Sequence, residues 1–438
     1  MRLPECHDES ESERGVKLIG CAGEESLPGP ISFDAWLLVL SLSGYLLVRS
    51  DYLTPLFLGL LPPICMCYLA LDGVRYIRQG ASWRRAVFRI KLALIFTTAV
   101  IFLLVPAAEQ TIRRRADGAH LWAHDGLIQT EEAVRLLLSG KNPYTENYVD
   151  TPLQQAPFTR PPNPAVYHLA YLPLSFLVQL PFAFLSWRFW GWYDGRWLYV
   201  VLLLLSLPLS AELAARKERR LSLVMAIGLN LPLLAFTAEG RNDILGLFLV
   251  LWSLYLALRD RKTLSLLVMA LGCASKQTVW FGLPFYFLYL LKDDLSWRAI
   301  WQLLRQAWPF YVTVILVIGP FVWWDPRAFI EDTFLYLTGH LDTSYPMWGM
   351  GIAFLLQLCG LVDSDIVYVP FWIPQLLIGV PVLGLLILYQ VRHNGLRAFW
   401  FGFAVLQLVL GYFSRVFQNN YFAVIVTTLF FAFLAEDV

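Results

Sequence analysis

Hydrophobic residues in this chain come in long unbroken runs, separated by short polar stretches. The apolar segments fall at 32–49, 53–72, 88–107, 163–187, 196–213, 221–237, 243–258, 263–275, 278–291, 309–324, 347–361, 368–390, 398–413 and 419–435. Many approach the roughly 20 residues that a helix needs to cross a bilayer core about 30 Å thick. Backbone groups in lipid must pair internally, so such runs become helices or closed barrels. Leu-rich continuity, without strict alternation, excludes the barrel pattern. The pattern therefore predicts an all-α polytopic membrane protein.

The spacing of positive charge orients these segments. Basic residues cluster at Arg75–Lys91, Arg216–Arg220, Arg259–Lys262, Lys292–Arg305 and Arg392–Arg397. Placing all of these clusters in the cytoplasm predicts about twelve crossings, with both termini inside and the loops 108–162 and 325–346 outside. Segments 163–187 and 347–361 then become half-embedded helices or hairpins, because Pro and Gly interrupt them. Arg113, Arg114 and Arg115 fall outside against the charge rule, which calls for an anionic partner. Residues 1–30 are acidic and polar, predicting a disordered cytoplasmic tail without a cleavable signal. Residues 31–87 supply two further N-terminal helices, and 88–438 form the main body.

Composition sharpens this picture only slightly. The 438 residues are 58% hydrophobic and 15% charged, with a net charge of +1. The charges sit in short loops, so no nucleic-acid partner is expected. Cysteines at 6, 21, 65, 67, 273 and 359 are scattered. Cys65 and Cys67 lie too close for usual zinc spacing, and His120, His124, His168 and His340 form no ligand pattern. Neither a metal nor another cofactor is expected. There is no glycine fingerprint for a nucleotide and no inverted repeat of the transporter kind.

The candidate chemistry lies in the polar interruptions. His124-Asp125 precedes an amphipathic helix that Gln129 or Thr130 could start and that Gly140, with Pro143 beyond it, should stop. Glu131 and Glu132 suit the positive end of that helix and need no catalytic role. Asp125 has two readings, a helix cap or a catalytic carboxylate. Ala238-Glu239-Gly240-Arg241-Asn242-Asp243 is either a plain hydrophilic turn or a cluster facing a cavity. Lys276 ends a short apolar run, where it must snorkel, pair or bind an anion. Residues 325–351 mix aromatics with His340 and Asp342. Arg415 to Tyr421 form the last polar turn.

In order, these signals resemble the C-type (GT-C) integral-membrane glycosyltransferases, and within them the polyprenyl-phosphate-mannose-dependent enzymes of glycosyltransferase family 87. The resemblance is carried by Asp125 leading to A-V-R-L-L-L-S-G-K-N-P-Y and by Pro161-Pro162-Asn163-Pro164-Ala165-Val166-Tyr167. E-G-R-N-D-I-L-G, Ser275-Lys276-Gln277-Thr278 and Gln418-Asn419-Asn420-Tyr421 complete it. It spans about residues 88–435 and implies a GT-C-like bundle with external membrane-parallel helices. It further implies a catalytic aspartate in the first external loop, which maps to Asp125, and a donor-phosphate lysine, which maps to Lys276. The family turn is usually Gly-Gln-x-Asn, whereas this chain has Gly240-Arg241-Asn242, making Arg241 a second phosphate candidate.

The resulting expectation is transfer of a hexose, most readily mannose, from a polyprenyl phosphate to a lipid-linked or glycan acceptor hydroxyl. Transfer would proceed with inversion on the external or periplasmic face of an inner or plasma membrane. Asp125 would act as general base. Donor and acceptor contacts fall to His124, Tyr144, Arg160, Asn163, Tyr167, Asn242, Gln277, His340, Arg415, Asn420 and Tyr421. The expected partners are the lipid donor, the acceptor and membrane lipids. The rivals are a transporter or flippase for a lipid-linked or anionic substrate, and a polymerase joining lipid-linked glycans.

Overall fold

The computed structural model describes residues 32–35, 37–38, 55–78, 80–158, 163–292, 294–362 and 364–437. The tail 1–30, most of segment 32–49, and Arg160, Pro161 and Pro162 lie outside them.

The described chain is helical apart from one short parallel strand pair, in agreement with the all-α expectation. The first two helices are α1 (Pro55–Ile77) and α2 (Ala81–Asp117). Next come α3 (Asp125–Leu138), α4 (Arg196–Ala211), α5 (Lys217–Gly228) and α6 (Leu231–Ala238). They are followed by α7 (Asp243–Leu258), α8 (Lys262–Ser275) and α9 (Leu283–Leu291). The last are α10 (Trp297–Gln306), α11 (Trp308–Trp324), α12 (Trp372–Arg392), α13 (Leu396–Tyr412) and α14 (Asn419–Leu434).

By length and composition, Gly59–Ile77, α2 and α12 can each cross a membrane. The pairs α5–α6 and α10–α11 also qualify as bent units, each broken by 43°. Shorter apolar helices account for the other runs. Several long apolar helices thus fit a membrane protein.

The two segments expected not to cross are broken. Within 163–187 the chain makes a single turn at Pro164–Val166, another at Leu174–Leu177, and a helix from Leu180 to Trp190. Within 347–361 it makes β1 (Trp348–Gly349) and the seven-residue helix Ile352–Leu358. β1 pairs in parallel with β2 (Val416–Phe417), tying the segment after α11 to the start of α14.

Two boundaries differ from expectation. Helix α2 runs to Asp117, so the start of the presumed loop 108–162 is helical. Helix α3 begins at Asp125, not at Gln129 or Thr130. The His124 imidazole caps it, with Nδ1 accepting the Gly126 N–H at 3.1 Å. The Thr130 hydroxyl turns back onto the Gly126 and Leu127 carbonyls, both at 3.0 Å. Since a capping side chain fixes a helix start, this placement decides the register of Asp125. The helix stops as expected, with Gly140 in a left-handed conformation (φ 78°).

The main hydrophobic core joins α2 and α4–α8 with α13 and α14. A second core lies under α3 and is built by Ile128, Ala133, Val134, Tyr148, Phe176 and neighbours. Tyr144 anchors it edge-on against Phe329, Phe321 and Phe176, with ring centroids 4.9, 5.7 and 6.1 Å away. Burying an aromatic side chain of this kind contributes roughly 1.5–3 kcal/mol. This second core holds α3 rigidly against the main body.

Candidate active site

Four chain breaks meet at one place: the starts of α3, α7 and α14, and the end of α8. The His124 N–H donates to the Glu239 carbonyl at 2.9 Å, joining the α3 start to the turn before α7. Gly240 in that turn has φ 88°, and a Cβ there would lie 2.5 Å from Leu127 of α3. Only glycine allows both the backbone conformation and the approach. Helix starts carry unpaired N–H groups and positive dipole ends, so three of them together favour negative charge.

The charged side chains at the junction form one network. Lys276 Nζ donates to Asp243 Oδ1 at 2.5 Å and to Asn242 Oδ1 at 3.2 Å. Its ammonium lies 5.0 Å from the centre of the Tyr421 ring. Asn420 Nδ2 donates to Asp243 Oδ2 at 2.7 Å. Asn420 Oδ1 accepts from Arg241 Nη1 at 3.1 Å, and Arg241 Nε pairs with Glu239 at 2.9 Å. Asn420 thereby couples the lysine end to the arginine end.

Asp125 flanks this network from α3. It is half-buried, with Oδ1 2.9 Å from His124 Nδ1 and accepting the Gly126 N–H at 2.7 Å. Burial alone would raise its pKa. The charge and hydrogen bond of His124, the Gly126 N–H and the charge of Arg241 outweigh burial and hold it at about 2. The Tyr171 phenol closes over the same helix start, and a Cβ on Gly126 would fall 1.9 Å from its oxygen. Burial first, and then the Asp125 carboxylate, keep Tyr171 well above the usual phenol range.

Beside the network lies a cavity of about 320 Å³ between α7, α13, α14, the start of α12 and the segment 276–281. Lys276, Asp243 and Tyr421 line it together with Gln277, His340 and Arg415. Most of its remaining wall is apolar, including Leu247, Val279, Phe403 and Val424. It has the form of a greasy slot with an ion pair in its wall.

The other candidates are placed more varyingly. Gln277 Nε2 donates to the Ala170 and Thr333 carbonyls at 3.3 and 3.2 Å, linking segments 163–187 and 325–346. His340 is exposed, stacks at 4.5 Å on Tyr368 and meets the Thr338 hydroxyl at 2.8 Å. Arg415 is buried and spends its guanidinium on the Tyr345, Val367 and Asp365 carbonyls. Tyr144 donates its hydroxyl to the Tyr171 carbonyl at 2.7 Å inside the second core. Asn163 caps its own turn through the Ala165 N–H at 3.0 Å, and Tyr167 is exposed. Arg160 lies outside the described residues.

Residue patterning did not single out Asp243, Tyr171 or Tyr345 as site residues. Asp243 stood inside the E-G-R-N-D-I turn, where a carboxylate between apolar runs is a usable signal beside a lysine that needs a partner. Nothing in the sequence marks Tyr171 or Tyr345, since both reach the site through tertiary contacts. A separate relay joins the same two segments: His168 Nδ1 meets Asp332 Oδ1 at 2.8 Å, and Nε2 meets the Thr343 hydroxyl at 2.6 Å. Burial raises the Asp332 pKa more than His168 and the Leu169 N–H lower it.

Of Arg113, Arg114 and Arg115, Arg114 meets the anionic partners that its position called for. It forms a two-pronged pair with Glu131 at 3.0 and 2.7 Å and also meets Asp194 at 3.3 Å. Among the described residues no three His, Cys, Asp or Glu side chains converge as metal ligands. In comparisons with known proteins, no family model, no curated protein and no solved structure matches this chain.

Proposed function

We propose that this protein is a membrane-embedded hexosyltransferase that moves a sugar, most readily mannose, from a polyprenyl phosphate to an acceptor hydroxyl. The observation that carries the proposal is the apolar cavity whose wall holds the Lys276–Asp243 pair, joined through Asn420 to Arg241 and flanked by Asp125. A lipid-phosphate donor has this same combination of parts: a long apolar tail, a charged phosphate and a polar sugar.

In this reading Lys276 and Arg241 stabilise the charge that grows on the departing phosphate. Each is paired with a carboxylate, so the donor phosphate joins or replaces Asp243 and Glu239 as their partner. Asp125 takes the acceptor proton as the hydroxyl attacks the anomeric carbon. A carboxylate held at about 2 is a weak base. A phosphate anion brought beside it raises its proton affinity, so the donor itself would prepare the base. One base with one good leaving group fits single displacement with inversion, by analogy with inverting glycosidases.

Topology supports the same reading. Three long helices, two bent pairs and six shorter apolar helices make eleven apolar units. Together with the apolar run 32–49 of the sequence, these units are compatible with a GT-C-like bundle of about twelve crossings, and in this proposal the charge rule puts the site on the external, periplasmic-type face. The buried Lys276–Asp243 pair beside the cavity also favours a second reading, a transporter or flippase for a lipid-linked anion.

Purified protein in nanodiscs, given radiolabelled polyprenyl-phosphate mannose and a host lipid extract, separates the two. A labelled product that disappears in Asp125→Asn supports the transferase. No transfer with mannose, glucose, arabinose or galactose donors, but flux of the lipid phosphate across the bilayer, supports the transporter.

A further inference from the structure

Helix α10 lies apart from the candidate site and carries three distinct faces. Its start is capped by Ser296, whose Oγ accepts the Ala299 N–H at 3.2 Å. Leu303 and Ala307 are buried against the body. Trp297, Trp301 and Leu304 follow the i, i+4, i+7 spacing of one row on α10, and Trp308, the first residue of α11, continues that spacing past the bend; the four are 70%, 49%, 40% and 61% exposed. Arg298, Gln302 and Arg305 form the next row, also exposed. An open cleft runs along it, lined by Arg298, Trp301, Gln302 and Arg305.

An apolar row of three tryptophans beside a basic row is the pattern of a helix lying in the plane of a membrane interface. The 43° bend at Ala307 turns α10 away from the apolar helix α11 that follows. Tryptophan suits the headgroup level, where its ring is half apolar and half polar. Arg298 and Arg305 are two turns apart, about 10.5 Å along the helix axis, with Gln302 between them. Among the described residues neither arginine is ion-paired. The nearby acid Asp294 sits beyond the helix start, where its Oδ1 accepts the Ser296 N–H at 3.0 Å.

We propose that α10 is an in-plane interfacial helix that binds the headgroup of an anionic phospholipid through Arg298, Gln302 and Arg305, with the acyl chains lying over Trp301 and its row. A guanidinium fork matches phosphate oxygens in two-pronged geometry. The exposed tryptophans supply the apolar floor that a free phosphate has no use for. This inference stands independently of the transferase reading and requires only that the chain lies in a bilayer.

The test is native mass spectrometry of the full-length protein in detergent, titrated with phosphatidylglycerol, phosphatidylcholine or inorganic phosphate. The wild type should retain phosphatidylglycerol preferentially. Arg298→Gln with Arg305→Gln should weaken that retention on the order of 30-fold, because each basic residue at an anionic surface is worth about fivefold. Trp301→Ala should weaken it without changing charge. Melting in phosphatidylcholine nanodiscs should be unchanged in each variant, so that a folding defect is not mistaken for a lost site. Equal phosphatidylglycerol retention by wild type and both variants overturns the proposal. So does inorganic phosphate binding at the same arginines without lipid preference, which makes the cleft a soluble-anion site.

Discussion

Two of the three carboxylates on helix α3, Glu131 and Asp125, have opposite surroundings. Glu131 faces a saturated cluster: Arg114 binds it in two-pronged fashion, and the Gly195 N–H donates to it at 2.8 Å. Asp194 and Arg196 complete that cluster, with Arg196 also donating to Gln110 and to the Ala238 and Trp122 carbonyls. Two guanidiniums balance two carboxylates, and all four residues are at most 5% exposed. Asp125 faces a network of the opposite kind. Asp125, Glu239 and Asp243 outnumber Arg241 and Lys276. The first cluster has satisfied its donors and acceptors within the chain. The second borders a cavity and gains from a ligand that reorganises its charges. Buried ion pairs alone do not mark function; charge imbalance beside open space is the more informative sign.

Substitutions can break or sharpen this contrast. The largest effect is expected for Asp125→Asn, which should lower transfer about 10²–10⁴-fold by removing the base. Its stability cost should be bounded at about 2 kcal/mol by linkage. The sign follows from the lowered pKa: the stabilisation is present above the ordinary carboxylate value and is lost as pH falls through about 2. Unfolding of wild type and Asp125→Asn across pH should therefore converge only at the acid end. Normal turnover in the variant would remove Asp125 from the mechanism.

Glu131→Ala should do the reverse. Arg114 would lose its two-pronged partner and keep only Asp194 at 3.3 Å, which should cost at most about 3–5 kcal/mol of stability, measured as a lower melting temperature in detergent. Folded Glu131→Ala protein with intact stability but no transfer would erase the distinction between the clusters.

Lys276→Ala should raise the KM for the lipid-phosphate donor about tenfold or more, since one charge-assisted contact is worth about 1.5–3 kcal/mol. Adding Asp243→Asn removes the orphaned carboxylate and should restore melting temperature without restoring donor use. Unchanged donor kinetics in the single variant would refute the phosphate role.

A change of the same order is expected from Gly126→Ala. One methyl group displaces Tyr171 from the helix start, so transfer should fall by about tenfold or more through misplacement. Restoration by Tyr171→Phe, measured on the same donor, would locate the clash at the phenol oxygen.

Much of the fold was legible because apolar helices announce themselves through the length and continuity of their hydrophobic runs. The runs at 243–258, 398–413 and 419–435 became α7, α13 and α14 nearly unchanged. The broken character of 163–187 and 347–361 followed from their prolines and glycines. The start of α3 was misplaced because histidine is not among the usual capping residues. The apolar run 221–237 split into α5 and α6 where Asn230 caps a new start, its Oδ1 accepting the Leu233 N–H at 3.2 Å.

By itself the sequence determined that this protein is helical, apolar and suited to a membrane, since periodicity and run length act locally along the chain. It also marked Asp125, Arg241 and Lys276 as charges out of place. Only the tertiary structure decided their partners. It gave Lys276 to Asp243, Glu131 to Arg114, and Arg415 to three loop carbonyls. A charge states its need for a partner locally, but which partner arrives depends on how distant helix ends are packed together.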